Sequence, residues 1–231
     1  MKLRWDSRIA AEVVLVFIGI LAAFALDSWW SELDLREREI AILKDMQKEF
    51  AATAEYLEQL IAYHENSAKD FEELHHLLET GEGAAASERV IELSYGLWTA
   101  RVYDANMAAY QSLLESAGLD FIRDEEFRHA LIEYKYAADR NLGWDRFLIG
   151  FDQGTGLSTL MSRVPYFDAI FESDRSGGEL IPDIDKLASD LEFRNLIALR
   201  TSGERDLIQL RKQLLEAVRE VQRTILAEIE A

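Results

Sequence analysis

The chain has 231 residues, a formal net charge of −18 and a pI of about 4.6. That balance disfavours nucleic acid, whose binding rests on Lys and Arg at phosphates, and disfavours lying flat on anionic lipid. There is no cysteine, which excludes disulfides, thiol nucleophiles and thiolate metal sites, and only two prolines and twelve glycines, so nothing reads as disordered linker.

The first element is apolar on every side. From Val13 to Leu26 no side chain is polar, and back to Ile9 only Glu12 interrupts. At 1.5 Å per residue this run spans about 27 Å, close to the roughly 30 Å of bilayer hydrocarbon. Trp5 precedes it and Trp29 and Trp30 follow it, so an indole falls at each headgroup zone. Its large apolar side chains, at roughly −0.3 to −0.6 kcal/mol each, favour insertion by several kcal/mol. Glu12 opposes this, but it lies near the N-terminal edge and can reach the headgroups or be protonated.

Three readings compete for this stretch. A core helix apolar all round requires a large protein around it. A cleaved signal peptide is suggested by Lys2, Arg4 and Arg8 ahead of the apolar run and by Ala23-Phe24-Ala25. Against cleavage stand Asp6 and Glu12 in the leader, and an apolar run that continues past the small residues. The expectation is a short tail over 1–8, a permanent transmembrane anchor over 9–30 and a helical bundle domain over 31–231. The basic residues before the span place the N-terminus in the cytoplasm. For a bacterial inner membrane protein, the C-terminal domain is then periplasmic.

Glu12, Gly19, Ala23 and Trp30 fall within about 20° of one another at 100° per residue. Gly19-x-x-x-Ala23 is a small-x-x-x-small pair, which lets two membrane helices approach closely. These four are the candidate residues for membrane-helix association. The bland alternative is that small residues are common in spans and Glu12 merely snorkels.

Ser31 to Glu79 contains neither Gly nor Pro and continues the anchor's helix. Alternating steps of three and four meet Leu33, Arg36, Ile40, Leu43, Gln47, Phe50, Ala54, Leu57, Ile61, His64, Ala68, Phe71, His75 and Leu78. Ten of these fourteen are apolar, a heptad-like stripe, and Met46, Leu60 and Leu74 widen it to the breadth of a bundle core. Unbroken from Leu26 to Glu79 the helix would reach about 80 Å, which leaves room for a bend. Gly81-Glu82-Gly83 ends it. Ser87 is the expected N-cap of a second helix running to about Ala100, with Val90, Ile91, Leu93, Leu97 and Trp98 buried. Asp104 is the expected cap of a third, "ANMAAYQSLLESAG", stopped at Gly118.

Asp124, followed by Glu125 and Glu126, starts a fourth helix. It carries Phe127, Leu131, Tyr134, Ala138 and Leu142 inward and runs to about Ile149. "GFDQGTG" and "SDRSGGELIPD" mark a looser region with a short helix between them. From Asp190 to Glu230 a second long helix carries Leu207, Leu210, Leu214, Val218, Val221, Ile225 and Ile229, weakened early by Gly203. No strand-period alternation occurs. The expected fold is all-α: a transmembrane helix continuing into a long helix, packed with the long C-terminal helix and shorter middle helices in an antiparallel bundle. The C-terminus would then return toward the membrane.

Two blocks, "EVVLVFIGILAAFALDSWWSE" and "YQSLLESAGLDFIRDEEFRHALIEYKY", resemble an uncharacterised bacterial family of single-span proteins, a domain of unknown function. Its anchor pattern is matched by Glu12, Leu15, Gly19, Ile20 and Trp29. Its helix-turn-helix pattern is matched by Tyr110, Leu113, Gly118, Leu119, Ile122 and Asp124. Asp27-Ser28 replaces the family's usual Asn-Asn, and Ala117 separates Ser116 from Gly118. The resemblance covers about a third of the chain. It implies an anchor and brings no activity or ligand.

Glu72-x-x-His75, Glu73-x-x-His76 and Glu126-x-x-His129 have the spacing that ferritin-like bundles use for di-iron. Glutamate is abundant here, however, and His75 and His76 point about 100° apart, so solvated helix faces are the simpler reading. His64 and His75 fall on the apolar stripe, as hydrogen-bonded bundle histidines or as a pH sensor. Gly154-x-Gly156 lacks the strand, third glycine and lysine of a phosphate loop and reads as a turn. "SDRSGG" lacks partners for a nucleophile. "REREI", from Arg36, reads as a solvated face with i, i+3 and i, i+4 pairs.

The expected function is a membrane-anchored helical scaffold, interaction or sensing protein, not an enzyme, with no catalytic, cofactor or metal residues. Its expected partners are the lipid bilayer, further copies of itself and an unidentified protein, not nucleic acid. The alternatives are a secreted helical binding protein, a ferritin-like metal-carboxylate bundle, or an anchored bundle facing the cytoplasm.

Overall fold

The computed structural model describes residues 7–80, 84–99, 101–105, 107–116, 122, 124–164 and 183–230. Every regular element among them is helical. Helix α1 runs unbroken from Ser7–Thr80, about 110 Å by its rise per residue. It contains no proline and one glycine, Gly19, so nothing in it supplies the common causes of a kink. The helix does not break: apolar stretch and bundle helix are one continuous element.

Helix α2 (Ala84–Tyr95) follows, with a 3₁₀ turn at Gly96–Trp98. Its start corrects the expected cap, because Ser87 lies inside the helix and is buried. Val90, Leu93 and Leu97 are buried as expected and Ile91 partly so; the Trp98 side chain, Ala100 and the Gly81-Glu82-Gly83 stop lie outside the described residues. Helix α3 (Ala108–Ser116) begins four residues beyond the predicted Asp104 cap. The cap comes from another helix instead: the Glu49 carboxylate of α1 accepts from the backbone N–H of Ala109 at 2.8 and 3.0 Å and of Tyr110 at 3.4 Å. A carboxylate there satisfies orphan donors and meets the positive end of the helix. Gly118 lies outside the described residues.

Helix α4 (Glu125–Phe151) starts where expected, with Asp124 accepting from Phe127 N–H at 2.6 Å. Leu142, however, faces outward at 37% exposure, while Asn141 and Asp145 point in. Gly154-x-Gly156 does not end the helix as a free turn would. Asp152–Gly156 form a single π turn, kinked at Gly154 (φ −93°, ψ −107°), that leads directly into α5 (Leu157–Met161). The "SDRSGG" stretch lies outside the described residues. Helix α6 (Ile184–Ser189) is capped by Asp183 and was not anticipated. Helix α7 (Leu191–Glu230) is capped by Asp190, which accepts from Phe193 N–H at 3.0 Å. Gly203 does not interrupt it; a Cβ there would sit 3.4 Å from Leu148 of α4, so the glycine permits close approach of α4.

Helices α1 and α7 pack antiparallel as the spine, and α4 lies along α7. Residue numbers run oppositely across the seam: Glu58–Arg219 (2.7 Å), Glu65–Lys212 (2.8 Å), Glu72–Arg205 (2.7 Å) and Glu79–Arg194 (3.8 Å). The C-terminus therefore returns to the end of the apolar stretch. Arg36, six residues after Trp30, donates to the Glu228 carbonyl at 2.7 Å and to its carboxylate at 3.1 Å. "REREI" is thus not merely solvated: its first arginine satisfies a terminal carbonyl of α7.

The interior holds two apolar cores. The one nearer Trp30 joins Met46, Phe50 and Leu57 of α1 to Phe127, Leu131 and Tyr134 of α4 and to Leu214, Val218 and Val221 of α7. The far one joins Phe71 and Leu74 to Val90, Leu93 and Leu97 and to Phe193, Leu196 and Ile197.

Candidate functional site

Two places depart from the ordinary pattern of apolar inside and polar outside. The first is the beginning of α1. Among the described residues, one helix is long and apolar enough to cross a membrane, and none of its apolar window is buried. Leu15 is 73% exposed and Phe24 68%. Glu12, Gly19, Ala23 and Trp30 are all exposed along this stretch, and no atom comes within 4 Å of a Cβ built on Gly19. Trp29 and Trp30 meet edge to face at 6.0 Å. The bare surface continues to Leu35 and closes at the Arg36–Glu228 contact.

The glutamate–histidine pairs are not drawn together. Glu72 pairs with Arg205, Glu73 with Arg89 at 2.8 Å, and Glu126 with Arg223 at 2.5 Å. His75 lies exposed beside Glu79 at 3.3 Å. Among the described residues no group of three or more metal-ligating side chains is arranged to hold an ion. His129 lines an open acidic groove between α4 and α7 with Glu125, Glu126, Glu133, Glu216 and Glu220.

The second departure lies between the two cores, where the helices bury charge. Arg211 is fully buried. It donates to Asn141 at 2.6 Å and to Asp145 at 2.5 Å, and lies over the Tyr103 ring at 5.8 Å. Asp145 also accepts from the Tyr103 backbone N–H at 3.0 Å. About three turns back along α7, Arg200 donates to Asp152 at 3.3 Å, to Glu204 at 3.2 Å and to the Thr99 carbonyl at 3.3 Å. The other oxygen of Glu204 meets His64 Nδ1 at 2.6 Å. His64, Asn141, Asp145, Asp152, Arg200, Glu204 and Arg211 are all buried. Four atoms in the layer have no partner: His64 Nε2, Asp152 Oδ1, Arg200 Nε and Arg211 Nε.

Only His64 of this layer was singled out from the sequence. The others were legible by a different rule. On α7 the inward positions 197, 200, 204, 207, 211 and 214 step by three and four. On α4 the positions 134, 138, 141, 145, 148 and 152 do the same. A search for apolar residues leaves the stripe at Leu142 and Leu210, whereas the geometric stripe continues through Asn141, Asp145, Arg200, Glu204 and Arg211.

Burial pushes the Asp152 carboxyl up to about 6; Arg200 opposes the shift and Glu204 adds to it. Burial likewise raises the phenols of Tyr103 and Tyr134, which share a hydrogen bond at 3.2 Å. No protein-family model, curated protein or solved structure matches this chain.

Proposed function

We propose that this chain is a membrane-anchored helical scaffold, with the start of α1 held permanently in a bilayer and the bundle carried on the same helix. The observation that supports it most directly is the continuity of α1: a wholly exposed apolar stretch runs without a break into a helix that is the spine of a folded domain. Exposing that much contiguous apolar surface to water is unfavourable by roughly 25 cal/mol per Å², and hydrocarbon removes the cost. The return of Glu228 to Arg36 brings the base of the bundle close to the Trp29–Trp30 interface. The excess of basic residues before the span supports the domain's lying on the far side of a bacterial inner membrane, in the periplasm. Its role there is interaction or sensing rather than catalysis.

Self-association runs through the face of Glu12, Gly19, Ala23 and Trp30, where the open surface over Gly19 admits a second helix. Two experiments test the reading. Alkaline carbonate washing should leave the full-length chain in the membrane; release into the supernatant sinks the anchor. Reporter fusions at the C-terminus should report a periplasmic domain, and a cytoplasmic signal reverses the orientation. As a test of the association face, Gly19→Ile should weaken cross-linking of the full chain in membranes by several-fold; unchanged cross-linking removes that face.

A further inference from the structure

The polar layer places two carboxylates against one guanidinium. Asp145 is matched by Arg211. Arg200 alone faces both Asp152 and Glu204. With both ionised and His64 neutral, the Arg200 group carries one negative charge in excess, at a depth where uncompensated charge is strongly disfavoured. Glu204 is well supported, since one oxygen accepts from Arg200 and the other lies 2.6 Å from His64 Nδ1. Asp152 is not: it has one long contact at 3.3 Å, and its Oδ1 has no partner. A half-satisfied buried carboxylate beside a better-held one is where an extra proton goes.

Its place in the backbone gives that proton leverage. Asp152 begins the π turn that joins α4 to α5, the one point where the chain between them kinks. Single π turns inside helices are frequent at functional sites. The groups facing Asp152 and its partners come from every neighbouring element: Tyr63 and His64 from α1; Arg101, stacked on Tyr63 at 4.6 Å, and Tyr103 from the α2–α3 connection; Asp145 from α4; Arg200, Glu204 and Arg211 from α7.

We propose that Asp152 is the proton-binding site of a pH-responsive joint between the α4–α5 turn and α7. With the proton bound, Arg200 and Glu204 neutralise one another and the turn stays docked. When it leaves, two carboxylates compete for one guanidinium, and the turn loosens from α7 together with the α5 contact to the far core. The carboxyl is held up to about 6, against about 3.9 when exposed. The folded chain binds this proton across that window and the unfolded chain does not. Stability from Asp152 is therefore greatest below about pH 4 and is lost as pH rises to about 6. This reading does not depend on where the domain sits relative to a membrane.

The test is thermal unfolding of the full-length chain in detergent micelles, followed by circular dichroism between about pH 4.5 and about pH 7. The wild-type midpoint should fall by ~5 °C over that range. Asp152→Asn keeps the shape and removes the titration, and should flatten the fall. His64→Gln should retain it, which separates the carboxyl from the imidazole. Acids held low, such as Glu65, pull the other way in both chains, so the difference between them decides: an Asp152→Asn midpoint that changes with pH as the wild type's does overturns the proposal. So does a fall abolished by His64→Gln and kept by Asp152→Asn. If Asp152→Asn does not fold, infrared spectra of the wild type decide. Exposed acids also protonate in part near pH 5, so the decisive signal is a protonated carboxyl band at the higher frequency of a weakly hydrogen-bonded, buried group; its presence near pH 5 and loss near pH 7 supports the site, and its absence near pH 5 overturns it.

Discussion

The two halves of α1 follow opposite rules. Before Arg36 the helix shows its apolar side chains outward, with Phe17 at 64% exposure and Leu21 at 62%. Twenty-eight residues further on it buries His64 completely against a glutamate. Neither arrangement is stable by itself in water: one leaves apolar surface uncovered, the other takes charge out of solvent. The inner half resolves its problem within the chain, because α4 and α7 supply Asn141, Asp145, Asp152, Arg200, Glu204 and Arg211 at the same level. Among the described residues, nothing covers the apolar window of the outer half. The difference teaches where the proposed membrane contact is to be tested: at the outer half of α1, whose apolar window is exposed among the described residues.

The sharpest way to break the comparison is to leave a buried charge unpaired. Arg211→Ala strands Asp145 and Asn141 in a dry interior. It should destabilise the fold by about 3–5 kcal/mol, read by urea unfolding of the full chain in micelles. Replacing Arg211, Asp145 and Asn141 together by apolar residues of similar volume should cost far less, or even stabilise, because no orphan remains. If the single and triple variants lose equal stability, the layer is not acting as a paired unit. For the outer half the corresponding insult is charge in the exposed run. Ile18→Arg should oppose insertion by about 2.5–3.5 kcal/mol and increase the carbonate-soluble fraction. The folded bundle should melt unchanged, since Ile18 touches none of it.

Much of this was legible in advance, and the rest failed for identifiable reasons. The helices of α1 and α7, their antiparallel packing and the cap at Asp124 follow from hydrophobic period and capping chemistry that act locally. The cap at Asp104 was misplaced because the real cap, Glu49, is about sixty residues away in sequence and adjacent only in the fold. Leu142 was misassigned because an apolar residue one position from the true stripe outweighed the spacing that puts Asn141 inward. The polar layer was invisible to a reading of one helix at a time. An inward arginine on α7 makes sense only once an inward aspartate on α4 is known to face it.

That long-range cap supplies the next prediction. Glu49→Ala removes the acceptor for Ala109 and Tyr110 and returns two donors to the unsatisfied state. The loss should be about 1–2 kcal/mol, the scale of a strong N-cap. Hydrogen exchange should localise it to the first turn of α3. Equal acceleration throughout the bundle would instead make Glu49 a general stabilising contact.

The smallest effect is expected at the α1–α7 surface ladder, which bears most on how the register is chosen. Glu58, Glu65 and Glu72 are spaced by seven on one helix, and Arg205, Lys212 and Arg219 by seven on the other. Each acid meets its base at 2.7 or 2.8 Å, so one antiparallel register satisfies all three at once. Slipping either helix by one heptad would leave a charge at an end of this set without its partner. The pairs are about half exposed, so each contributes little to stability: Glu65→Gln should cost under about 1 kcal/mol, less at high salt. The Glu65 carboxyl is held below its usual range by Lys212. Its contribution is therefore present at neutral pH and is lost as pH falls through the acid range. Reversing one rung with Glu65→Lys should cost more than removing it, because it puts like charges against Lys212. Adding Lys212→Glu should recover the difference. A double reversal no better than Glu65→Lys alone would mean that the apolar stripes fix the register without help from the ladder.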